Sequence, residues 1–121
     1  MAEIVFGDGP KARRFPLRLT HKGVRIAEAK IGNRALWTVA QQGGEIPIGV
    51  AMEVVAAAML PSTPNASVAL VEGLLDKQPE MTFEVIRAAF ETIGEFYQRI
   101  TPKKEDDAAD PTEPQSENPN P

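Results

Sequence analysis

Ile4, Val5 and Phe6 form an apolar run that ends at Asp8-Gly9-Pro10. Glycine accepts positive φ there and proline cannot pair in a ladder, so the run predicts a short strand entering a turn. Phe15, Leu17 and Leu19 then alternate with Pro16, Arg18 and Thr20, the two-residue period of a strand with one buried face. Pro16 removes a ladder donor, so this second strand lies at an edge or is irregular there. Two strands alone are marginal, so helices must cover the apolar face of the hairpin.

The period then changes to that of a helix. Thr20 is placed to cap a helix from about His21 to Ile31, with Gly32 ending it in the left-handed region. Asn33 is placed to cap a following segment in which Leu36, Trp37, Val39 and Ala40 bury, Trp37 acting as an anchor between helices. Pro47 suits a first helical position, and Ile48, Met52, Val55, Ala56 and Met59 recur on one face. Val50, Val54, Ala57 and Leu60 make the other side apolar too, so residues 47–60 predict a helix central to the fold. Asn65 or Ser67 can cap a short helix to about Lys77 that packs Val68, Val71, Leu74 and Leu75. Thr82 reads as the cap of the last helix, flanked by Met81 and Ile86 as a hydrophobic staple. Along it Val85, Ile86, Ala89, Phe90, Ile93, Phe96, Tyr97 and Ile100 share one arc, opposite Glu84, Arg87, Glu91, Glu95 and Gln98.

These elements predict a mainly α domain over residues 3–100: an N-terminal β-hairpin followed by about five helices around a central apolar helix. Residues 101–121 hold no apolar side chain larger than alanine and carry five prolines, which predicts a disordered, acidic, Pro-rich tail.

Charge divides the chain in the same way. Residues 101–121 hold two basic and six acidic residues, a net −4, which is the formal charge of the whole chain. Residues 10–34 carry a local +7, balanced by Glu3 and Asp8 together with eight acidic against three basic residues over 35–100. A basic start and an acidic remainder can attract one another within the molecule, between copies or through a partner. Self-association is thus one open use of the pattern. The chain has no cysteine, no signal-peptide pattern at Met1 and no apolar stretch long enough to span a bilayer. The expectation is a cytoplasmic protein with no membrane partner.

Candidate chemistry is sparse. His21 is the only histidine, and Ser62, Ser67 and Ser116 stand in loop, cap and tail positions, so a Ser-His-Asp arrangement has little support. Glu91 and Glu95 read as a solvated helix face beside Arg87 and Gln98, since carboxylate metal sites in helical bundles need ligands projecting inward from several helices. No phosphate loop, EF-hand or zinc spacing appears. The reading is a non-enzyme without cofactor or metal. Arg13, Arg14, Arg18, Lys22 and Arg25 could line one basic surface, but the sequence pI of 5.0 and the lack of stacking aromatics among them disfavour nucleic acid.

The sequence of pieces resembles a known family. Phe15-Pro-Leu-Arg-Leu-Thr20 closes the hairpin, and Ile26-Ala-Glu-Ala-Lys-Ile-Gly32 closes the first helix. With the helix over 47–60, a short helix over 67–77 and the final amphipathic helix, the chain resembles the tail assembly chaperones of long-tailed phages, in particular the gene-transfer-agent type. That resemblance implies a host-cytoplasmic, non-catalytic protein that binds the tape-measure protein, shields its apolar helices and recruits tail-tube subunits. It also implies a longer product made by ribosomal frameshifting, for which Pro102-Lys103-Lys104 can be encoded by a slippery heptamer.

A chaperone of this sort needs apolar surface for client helices, which the helix over 47–60 offers in excess of one core face. The candidate partner-binding residues are Arg13, Arg14, Arg18, Arg25, Trp37, Met52 and Met59. The bland alternative is that Trp37, Met52 and Met59 are simply core. The alternatives for function are another small tail or connector protein that stays in the particle, and a DNA-binding regulator using the basic segment.

Overall fold

A computed structural model describes residues 2–42 and 46–102. The predicted disordered tail lies, from residue 103 onward, outside the described residues. Two strands, β1 (Glu3–Phe6) and β2 (Arg13–Pro16), form an antiparallel hairpin, followed by α1 (His21–Lys30), α2 (Leu36–Ala40), α3 (Ile48–Met59), α4 (Val68–Lys77) and α5 (Thr82–Ile100). The fold is mainly helical, as the periodicity predicts.

The hairpin pairs Glu3 with Pro16 and Phe6 with Arg13. Its turn places Gly7 and Gly9 at φ +85° and +65°, a region glycine enters at no steric cost. Pairing continues one step beyond β2, because Leu17 N–H donates to Ala2 O at 3.0 Å. The alternation at Phe15, Leu17 and Leu19 then outlasts the strand: Arg18 N–H turns to Ala58 O at 2.9 Å, so the segment after Pro16 runs against the end of α3 while its odd residues stay buried. Both ends of β1 are fastened near α5, Ala2 N–H to Glu95 Oε1 at 3.0 Å and Gly7 N–H to Gln78 Oε1 at 2.7 Å. Glu95 is therefore a clamp for the N-terminal strand rather than part of a purely solvated face. The remainder of that face is as expected, with Arg87 bridging Glu84 and Glu91, whose hydrogen bonds raise the guanidinium pKa above its ordinary value.

Helix α3 is the centre. Val50, Val54 and Ala57 on one side and Val55, Ala56 and Met59 on the other are all buried, between α1, α4 and α5. Its second apolar side is thus core, not spare surface, apart from the half-buried Leu60 just past its end, and of the helix's own large apolar side chains only Ile48 and Met52 reach solvent. Helix α1 can lie close to it because residue 23 is glycine: a Cβ there would sit 3.3 Å from Ala57 O.

Caps show where local chemistry is decided by distant groups. Thr20 and Ser67 accept from Gly23 N–H and Leu70 N–H, as their positions predict. Asn33 does not cap α2. It takes φ +60° beside Gly32, Ala35 stands at the cap position, and Glu28 from α1 accepts from Leu36 N–H at 2.9 Å. Thr82 does not cap α5 either; it is the first helical residue, and its hydroxyl donates to Pro79 O at 2.8 Å. Pro47 stands at the cap position of α3 rather than inside its first turn.

One core contact is imperfect. Thr92 is fully buried on α5 and its hydroxyl has no hydrogen-bond partner. An unsatisfied buried hydroxyl costs about 1–3 kcal/mol, so Thr92→Val should raise the unfolding free energy by roughly 1 kcal/mol. Thermal unfolding followed by circular dichroism checks this, as a midpoint about 4–8 °C higher for a domain of this size.

Candidate partner-binding surface

The C-terminal end of α5 brings an aromatic row, two arginines and three clefts together. Four rings run in a row: Trp37 meets Tyr97 edge-on at 5.2 Å, Tyr97 meets Phe96 at 5.3 Å, and Phe96 meets His21 at 5.2 Å. Phe96 is buried and fixes the row to the core, whereas Trp37 is 52% exposed. The reason is the short helix α2, which buries Leu36 and Val39 and so turns the residue between them outward. Trp37 is a surface side chain leaning on Tyr97, not the interhelical anchor that its size suggests.

Cations frame the same region. Arg99 lies with Cζ 5.7 Å from the Phe96 ring centroid and donates to Leu19 O, a position near the helix C-terminus where the dipole favours positive charge. Arg18, carried there by the extended segment that docks on α3, lines two adjoining clefts together with Arg99 and Ile100. The larger, about 620 Å³, continues through Gln98, Thr101 and Pro102 into a third cleft of about 420 Å³ walled by Trp37, Tyr97 and Gly94. Gly94 leaves this third cleft open, since a Cβ there would meet nothing within 4 Å. The result is one continuous surface with two exposed large apolar groups, Trp37 and Ile100, beside two arginines. Trp, Tyr and Arg are the residue types that dominate binding energy in protein interfaces.

A second groove of about 590 Å³ lies at the other end of α5, lined by Ile48, Met52, Leu75 and Pro79 with the carboxylates of Glu72 and Asp76. From Thr82 on its edge to Gln98 is sixteen helical residues, about 24 Å at 1.5 Å per residue.

The seven residues singled out in the sequence thus scatter. Arg18 and Trp37 meet the first surface and Met52 lines the second. Met59 is 1% exposed and out of reach of any partner. Arg13 lies over Phe15 at 5.1 Å, Arg14 pairs with Glu3 at 3.3 Å, and Arg25 is exposed on α1 but lines none of the three clefts. Arg99, Tyr97, Ile100, His21 and Gly94 also line this surface and are not among those seven. Their signal is faint: an arginine in the last turn, and an apolar arc that runs one turn past the core.

For catalysis the geometry brings little together. His21 packs on Phe96 and shares its cleft with Arg18 and Arg99, while Ser62 donates to backbone carbonyls and Ser67 caps α4. Among the described residues there is no group of three or more histidine, cysteine or acidic side chains placed to hold a metal, and no helix long and apolar enough to cross a membrane.

No family model, curated protein or solved structure matches the chain.

Proposed function

We propose that the chain is a non-catalytic assembly chaperone of the phage-tail type, which binds apolar helices of the tape-measure protein during tail assembly and hands the complex to tail-tube subunits. The observation that carries the binding role is the half-exposed Trp37, set edge-on to Tyr97 beside Ile100, Arg18 and Arg99. An apolar notch rimmed by arginines suits an amphipathic helix with acidic flanks, laid in as a helix lies in a groove. The phage assignment rests on the resemblance of element order and of the residue runs 15–20 and 26–32.

Co-expression with the tape-measure protein of the same genome tests the reading. The expected result is a soluble complex that elutes together on size exclusion, and purified particles that lack this chain. A tape-measure protein that stays insoluble while this chain elutes alone would refute the chaperone role. Retention in finished particles would instead make the chain a structural tail component.

A further inference from the structure

The cleft of Arg18 and Arg99 has an occupant close at hand. Pro102 forms part of its lining, and from residue 105 to 121 the chain has six acidic residues and no basic one. We propose that this acidic segment, centred on Glu105, Asp106, Asp107 and Asp110, docks within the molecule on the Arg18–Arg99 cleft and competes there with acidic partners. The inference does not depend on the identity of the client.

Three observations support it. The first is reach: Glu105 to Asp107 follow Pro102 by three to five residues, and an extended chain of that length spans about 10–18 Å, enough to meet a cleft that Pro102 itself borders. The second is charge. Arg18 is exposed and makes no ion pair among the described residues, and Arg99 engages a carbonyl, not a carboxylate. Glu95, the cleft's own carboxylate, accepts from Ala2 N–H. The third is tethering, since a short linker gives an effective concentration of order millimolar and lets weak contacts persist. The opposite expectation is that the segment avoids the cleft and reaches the groove of Glu72 and Asp76, which the roughly 23–25 Å of extended chain from Pro102 to residue 109 permits. The experiment separates the two.

The chain has no cysteine, so Ala109→Cys provides a single site for a nitroxide label in the full-length protein. Paramagnetic broadening of backbone amide signals is then compared at low salt and at 1 M NaCl, where the Debye length falls from roughly 10 Å or more to about 3 Å. The same label is placed in a chain that also carries Glu105→Gln, Asp106→Asn, Asp107→Asn and Asp110→Asn. The expected result is strong broadening at residues 18–22 that falls at least threefold in high salt and in the neutralised chain, while residues 99–102 keep theirs through chain proximity. Equal broadening at 18–22 in the charged and neutralised chains would overturn the proposal. So would broadening concentrated at residues 48–52 and 72–76.

Discussion

Phe96→Ala is expected to destabilise the chain by about 3–5 kcal/mol, the range for removing a buried aromatic side chain. The ring is 4% exposed, so its loss opens a cavity, and it also supports three groups at the surface: His21, Tyr97 and the Arg99 guanidinium. A stability of about 5–15 kcal/mol for a small domain makes such a loss a large fraction of the total. Urea unfolding gives the value directly. Phe96→Leu keeps most of the volume and should cost roughly half as much, because the cavity term shrinks while the ring contacts go. A cost below about 1 kcal/mol for Phe96→Ala would mean that the aromatic row is not anchored as described.

Trp37→Ala is expected to have the opposite profile, with little effect on stability and a large one on binding. Half of the indole is already in water, and Leu36 and Val39, not Trp37, hold α2 to the core. A central aromatic anchor is worth about 2 kcal/mol or more to an interface, which corresponds to a loss of client affinity of roughly thirtyfold. Isothermal titration with a tape-measure segment, alongside an unfolding curve of the same variant, measures both. Unchanged affinity would remove Trp37 from the interface.

The helices, the hairpin and the central place of α3 were readable in the sequence because each rests on a local period: two along Phe15–Leu19, and the helical period along residues 48–59 and 82–100. The burial of both sides of α3 also follows from its uniform apolarity, yet that pattern cannot distinguish surplus surface from a core contacted on every side. The errors fall where a distant group decides. Glu28 reaches across to cap α2 and displaces Asn33 from that role, and Ala2 claims Glu95 from the solvated face. Neither contact leaves a trace in local spacing. Trp37 misleads for a related reason: residue type favours burial, but on a five-residue helix the flanking Leu36 and Val39 set the rotation. The candidate surface was legible only in pieces, since Arg18 after β2, Trp37 on α2 and Arg99 on α5 are brought together by tertiary packing alone.

If the surface at the C-terminal end of α5 receives the client helix, as we propose, Gly94→Leu should block it. A Cβ at Gly94 meets nothing within 4 Å, and leucine is the better helix former by roughly 1 kcal/mol, so the variant should fold at least as well as the parent. Its side chain would fill the cleft between Trp37 and Pro102. Titration of the tape-measure segment into this variant should show affinity reduced by a hundredfold or more, whereas Met52→Glu in the far groove should bind as the parent does. Parent-like binding by a folded Gly94→Leu chain would rule this surface out as the client site.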